Sequence, residues 1–117
     1  MGQPAKQFQI VSKDPEKAAE FYGQLFGWKI DANNALGYRI IDTGSEDGIQ
    51  GGIWPAPQEA HALVQLFMQV DDVGAAVEKA TTLGANVIIQ PQVLPDGDEM
   101  AMLLDTEGIP FGVFRPA

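Results

Sequence analysis

The sequence predicts an α+β fold built from two tandem βαβββ modules, because four of its blocks occur twice in the same order. Ile10-Val11 leads into Asp14 and a run ending at Leu25-Phe26-Gly27, as Met68-Gln69-Val70 leads into Asp72 and a run ending at Leu83-Gly84. Ile40-Ile41-Asp42-Thr43-Gly44 is answered by Leu103-Leu104-Asp105-Thr106-Glu107-Gly108, and Gly51-Gly52-Ile53-Trp54-Pro55 by Phe111-Gly112-Val113-Phe114-Arg115-Pro116. One supersecondary unit used twice implies a cavity between two similar halves. Each copy also opens with alternating polar and apolar residues and continues into a capped segment with a helical apolar stripe.

In the first module, Gln7-Phe8-Gln9-Ile10-Val11 alternates with the period of a half-buried strand. Asp14 is placed to cap a helix, with Pro15 at its first position and Glu16 at its positive end. Ala18, Phe21, Tyr22, Leu25 and Phe26 make the apolar stripe, and Gly27 sits where the helix stops. Three short strands follow at Trp28 to Ile30, Gly37 to Thr43 and Gln50 to Trp54, with a turn over Gly44 to Gly48. The second module repeats the plan, with Val64, Leu66, Met68 and Val70 on one strand face and Asp72 as the cap. Its helical stripe is Val73, Ala76, Val77, Ala80 and Leu83, with Gly84 as the stop. Strands follow at Asn86 to Ile89, Met100 to Asp105 and Pro110 to Phe114, with turns at Asp96-Gly97-Asp98 and Glu107-Gly108. The chain thus reads as a single domain over residues 1–117: module one over 5–55, a proline-flanked connector over 55–62 and module two over 62–115.

Composition narrows the function. At 117 residues the chain has room for one modest core, and 45% apolar with 20% charged residues is ordinary for a soluble globular protein. No apolar run is long enough to span a membrane, and no basic-then-apolar leader opens the chain. The expectation is a cytoplasmic protein. A net charge of -9 opposes binding to nucleic acid or an anionic membrane. The lack of cysteine removes disulfides, thiolate metal sites and a cysteine nucleophile together.

The order β-α-β-β-β, together with Phe21-Tyr22-Gly23-Gln24-Leu25-Phe26-Gly27-Trp28 after Asp14-Pro15-Glu16, resembles the vicinal oxygen chelate superfamily. That group contains glyoxalase I, the extradiol dioxygenases, the fosfomycin resistance enzymes and the bleomycin resistance proteins. Gly51-Gly52-Ile53, Val70-Asp71-Asp72-Val73 and Asp105-Thr106-Glu107-Gly108 fit as well, although the family usually has proline where Thr106 stands. Nearly the whole chain is covered, and it is most similar to small stand-alone bacterial glyoxalase-related members. The resemblance implies a curved mixed eight-stranded sheet around a cavity, helices outside, and a homodimer whose modules pair within or between chains.

Catalytic members hold a divalent metal in that cavity, on His or Glu side chains from the first and last strands of each module. The resemblance maps those positions onto Gln7, Gly52, Gln65 and Gly112, none of which is acidic or imidazole. A dication needs such ligands to replace its hydration, so no divalent metal or other cofactor is expected. What remains is a neutral lining. With Phe8 and Ile10 packed on the first helix, Gln7, Gln9 and Val11 point the other way, as do Gln65, Phe67 and Gln69 in the second module. Gly52 with Trp54, and Gly112 with Phe114, would join them, the glycines leaving room. Such a pocket suits a small, partly apolar or aromatic molecule held by stacking and a few hydrogen bonds. The same residues are also compatible with a narrow crevice holding water and no ligand.

The leading expectation is therefore a metal-free small-molecule binding protein in the manner of the bleomycin resistance members. The alternative is a metal-dependent glyoxalase-like lyase or isomerase with a rearranged site drawing on Gln7, Gln65 and an acid such as Glu99; a scaffold acting through protein contacts is a third. Other signals read as structural. Asp42-Thr43-Gly44 and Asp105-Thr106-Glu107-Gly108 are strand-end turns in preference to a protease carboxylate pair, whose Asp-Thr-Gly the second copy breaks. His61 is expected at the surface. The Pro91 to Glu99 segment is read as a lid or connection, since it lacks calcium-loop spacing. Arg39 is left between solvent and the cavity, because alternation does not decide its face.

Overall fold

The computed structural model describes residues 2–32, 38–56 and 61–117. Among these lie ten elements: β1 (Ala5–Ser12), α1 (Pro15–Phe26), β2 (Lys29–Asp31), β3 (Arg39–Asp42), β4 (Gln50–Pro55), β5 (Leu63–Gln69), α2 (Val73–Thr82), β6 (Asn86–Val93), β7 (Glu99–Leu104) and β8 (Pro110–Arg115). The fold is α+β, two successive βαβββ modules contributing to a mixed eight-stranded sheet ordered β2-β3-β4-β1-β5-β8-β7-β6. In both modules the first and last strands are parallel, β1 with β4 and β5 with β8, and the hairpin-connected strands are antiparallel. The residues cluster into two compact units, Gln7–Gln65, and Leu66–Ala117 with the segment up to Lys6.

In the unit Gln7–Gln65, the helix starts where the cap chemistry places it. Asp14 accepts a hydrogen bond from the Lys17 amide (3.1 Å), Pro15 occupies the first turn, and Gly27 closes the helix at φ 71°, donating to the Gly23 carbonyl. Ile10, Ile41 and Ile53 form the core, covered by Phe8, Ala18, Ala19, Tyr22, Trp28 and Ile30. The helical stripe is narrower than expected: Ala18 and Tyr22 face the core as predicted and are joined by Ala19, while Phe21, Leu25 and Phe26 are more than half exposed. At 100° per residue Phe21 lies roughly 100° round the axis from the middle of that packed face. Leu25 and Phe26 belong to the last turn, where the Tyr22 and Trp28 rings flank Phe26 at 6.3 and 5.3 Å between centroids and leave its outer side exposed. Strand β3 is shorter than expected, and position 37, predicted as its start, lies outside the described residues. So does half of the predicted connector, residues 57–60.

In the unit containing Leu66–Ala117, Asp72 caps α2 by accepting from the Ala75 amide (3.0 Å), and Gly84 follows the helix at φ 105°. Val73 and Val77 of α2 pack with Val70, Ala101, Leu103 and Val113, while Leu83, expected in this stripe, is exposed at the helix end. Met100 and Met102 alternate with Ala101 and Leu103 along β7 and join Phe67, Phe114, Ile89 and Leu94 in a separate cluster. On β5 the apolar alternation is only partly buried. Val70 is covered, but Val64 and Leu66 are exposed.

The segment expected as a loop from Pro91 to Glu99 is strand at both ends, leaving residues 94–98 as the connection. β6 continues through Pro91 to Val93, with register shifts between Val87 and Ile89 and between Ile89 and Gln92. Standing last in the strand order, β6 needs no amide donor from proline on its outer side, which is where sheets tolerate that residue.

These packing differences set the expected response to mutation. Ile53→Ala and Leu103→Ala, each removing a fully buried side chain, should cost about 2–5 kcal/mol in urea unfolding. Phe21→Ser on the exposed flank of α1 should stay within about 0.5 kcal/mol.

Candidate functional site

The unit Gln7–Gln65 presents, opposite α1, a face whose β1 and β4 residues are uncharged, while Lys29, Asp31 and Asp42 of β2 and β3 share that face by register. In the parallel register Phe8 pairs with Gly51 and Ile10 with Ile53 on the helix side, so the intervening pairs Gln7 with Gln50, Gln9 with Gly52, and Val11 with Trp54 belong to the other face. On β1 and β4 that face carries no charged side chain. Ile40 of β3 pairs with Gly52, and alternation puts Tyr38 on the same face. Arg39 pairs with Ile53, which places it on the helix side, away from these residues.

Two buried glutamines occupy this face. Gln9 is 4% and Gln65 3% exposed, and Nε2 of Gln65 donates a hydrogen bond to Oε1 of Gln9 (2.5 Å). The resemblance mapped Gln7 and Gln65 as equivalent first-strand positions, and each does stand seven residues before its helix cap, 14 − 7 and 72 − 65. The structure joins Gln9 to Gln65 and leaves Gln7 half-buried beside Gln50. Gln50 is engaged by the neighbouring turn, accepting from the Thr43 amide (3.2 Å) and donating to its hydroxyl (3.1 Å).

The glycines leave no empty space. A Cβ built on Gly52 would fall within 1.8 Å of the Tyr38 hydroxyl oxygen, so the phenol already lies over that glycine. Its ring centroid is 4.6 Å from that of Trp54, tilted by 37°. Tyr38 was missed at the sequence level, although the alternation that placed Ile40 also carried it. The expectation that missing side chains make room is overturned likewise in the other unit. Phe67 pairs with Gly112, and a Cβ there would meet the Phe67 ring at 2.3 Å. Phe114 lies 6.5 Å from Phe67 in an edge arrangement, and with Met100 these rings form a packed apolar cluster.

The remaining polar candidates serve structure. Asp42 accepts from the Gly44 amide (2.8 Å), and Asp105 from those of Glu107 (2.8 Å) and Ile109 (2.9 Å). Asp96 accepts from the Asp98 amide and Asp98 from that of Ala117, while Glu99 pairs with Arg115 at 3.6 Å. His61 is exposed. Among the described residues no three His, Asp or Glu side chains are placed to hold a metal ion. At the mapped positions the donors are neutral amides, a poor match for a divalent cation.

The glutamine bond is testable by a double-mutant cycle. Gln65→Leu should cost about 1–3 kcal/mol, because it strips the buried Gln9 oxygen of its donor. Gln9→Leu with Gln65→Leu should cost less than the sum of the two single changes, by about 0.5–3 kcal/mol in urea unfolding.

Comparison with known proteins agrees with this architecture. Residues 7–114 match the family model for a glyoxalase-like domain. The protein CFP32 of Mycobacterium bovis, whose glyoxylase designation is provisional, is 26% identical over 112 residues, as is its Mycobacterium tuberculosis counterpart. The alignment covers 93% of this chain and 42% of either relative, so the chain spans less than half their length. Among solved structures, methylmalonyl-CoA epimerase from Mycobacterium tuberculosis superposes with a TM-score of 0.67 at 16% identity, over 96% of this chain and 87% of that one. An NAD-dependent benzaldehyde dehydrogenase structure from Legionella pneumophila gives 0.68 at 17%, over 95% and 98%. At such identities the superpositions establish the fold alone. By its family match, the chain belongs to the glyoxalase-like domain family of the vicinal oxygen chelate superfamily.

Proposed function

We propose that this glyoxalase-like domain binds a small, neutral, partly aromatic molecule on the Gln9–Gln65–Trp54 face and does so without a metal ion. The observation that carries this reading is the buried glutamine pair sharing, by register, a face with the Tyr38 and Trp54 rings, a face whose β1 and β4 residues are uncharged. A buried amide offers both a donor and an acceptor at no cost in net charge, and Trp54 offers a ring for stacking. An anion placed there would lose its hydration with no cation from β1 or β4 to replace it, since Arg39 lies on the opposite face. The names carried by relatives point to transformations of small carbonyl compounds and thioesters. Their donor chemistry is not carried over by the residues at the mapped positions here, so binding is favoured over turnover.

Protein purified without chelators should contain far less than one equivalent of divalent metal, and chelation should leave its melting temperature unchanged. One tightly held divalent ion per chain would overturn the metal-free reading and favour a lyase or isomerase. A panel of neutral bicyclic and monocyclic aromatics should contain members that raise stability, by about 2.7 kcal/mol at one hundred times the dissociation constant. A panel in which no member shifts the unfolding curve would count against binding.

A further inference from the structure

We infer that Tyr38 is a built-in occupant of the binding face, that the ligand displaces it, and that the ligand is therefore a neutral hydroxylated aromatic resembling the phenol it replaces. This rests on the binding reading above and goes further by naming the ligand class and the side chain that yields to it.

The distances between the rings decide against a simple clamp. A planar guest held between two aromatic rings needs about 7–8 Å between their planes, twice a carbon contact distance of about 3.5–4.0 Å. Tyr38 and Trp54 have centroids only 4.6 Å apart. Nothing can enter between them as they stand, so a molecule stacking on this side of Trp54 must take the place of the phenol. The chain itself shows what that place accepts: an aromatic ring against Trp54 and a hydroxyl oxygen where a Gly52 side chain would be.

Gly52 is what makes the position usable. A methyl group there would fall 1.8, 2.1 and 2.5 Å from the Tyr38 Oη, Cζ and Cε1 atoms, so any other residue would evict the phenol. The register sets Gln9 beside Gly52 on the same face. Oε1 of Gln9 is held by Gln65. A hydroxyl arriving over Gly52 thus comes to the register partner of an amide whose oxygen is engaged by Gln65 and whose chemistry includes N–H groups that can donate. Carboxylates are disfavoured there because β1 and β4 offer no compensating cation, and plain hydrocarbons forgo the hydrogen bond.

The test uses p-cresol, the detached tyrosine side chain, with toluene and 4-methylbenzoate as controls. Binding is followed by titration calorimetry and by Trp54 emission in a Trp28→Phe background, which leaves Trp54 as the sole tryptophan. Tyr38→Ala should bind p-cresol at least about tenfold more tightly than the natural chain, toluene about tenfold more weakly than p-cresol, and 4-methylbenzoate not measurably. Tyr38→Phe, which keeps the ring, should bind p-cresol no better than the natural chain does. Gly52→Ala, which leaves Tyr38 intact but removes its resting place, should shift the Trp54 emission of the free protein in the same direction as Tyr38→Ala.

Equal affinity of Tyr38→Ala and the natural chain for p-cresol would overturn the inference, as would 4-methylbenzoate binding as well as p-cresol. Suppose instead that an aromatic from the stability panel binds the natural chain and loses affinity in Tyr38→Ala. Tyr38 is then a clamp, and displacement fails while the binding function stands. If p-cresol enters Tyr38→Ala yet no panel member binds the natural chain, the occupant role holds and the proposed function fails.

Discussion

In each unit the first and last strands run side by side in the same direction, and an aromatic ring from one lies where a side chain of the other would be. Phe8 rests on Gly51 and Phe67 on Gly112, at paired positions of β1 with β4 and β5 with β8. A Cβ at either glycine would meet the ring at 2.3–2.7 Å, well inside contact distance. Glycine costs a strand some stability through its freedom in the unfolded chain, and here that loss is offset by the apolar area the ring covers. Tyr38 over Gly52 is a third instance, but it differs in kind. The ring comes from just before β3, across a pair of antiparallel strands, and it faces away from the helix.

That difference separates structure from site. Phe8 joins the core that α1 covers, and Phe67 joins Met100 and Phe114 in an apolar cluster. Tyr38 lies beside Trp54 and over Gly52, whose register partner Gln9 is hydrogen-bonded to Gln65. Buried polar pairs contribute little net stability compared with apolar residues of the same shape, and breaking one is costly. A protein that keeps two neutral amides in such a place gains an oriented donor and acceptor there, and the chemistry open to that face follows from their neutrality.

The two modules have diverged where their equivalence would matter most. Counting back from the caps Asp14 and Asp72, Gln9 corresponds to Phe67, each five residues before its cap, 14 − 9 and 72 − 67. One unit therefore has an amide where the other has a benzene ring. Gln65, the partner Gln9 finds, corresponds to Gln7, which takes no part in the pair. The duplication preserved strand order and caps while the chemistry became asymmetric.

The local signals of the sequence determined the helices, their caps and the glycine stops, because those depend on contacts within a few residues. Asp14, Asp72, Gly27 and Gly84 all act as their positions suggested. Alternation likewise identified the faces carrying Gln9, Gly52 and Trp54. It could not say which glutamines meet, since the Gln9–Gln65 bond joins residues 56 apart and depends on how two strands are brought into register. Nor could it reveal that glycines are filled from elsewhere in the chain, or that Phe21, Leu25 and Phe26 stay exposed while Ala19 joins Ala18 and Tyr22 in facing the core. A missing side chain reads as space in one dimension. Whether that space is empty depends on a ring from another strand, and only tertiary packing supplies it.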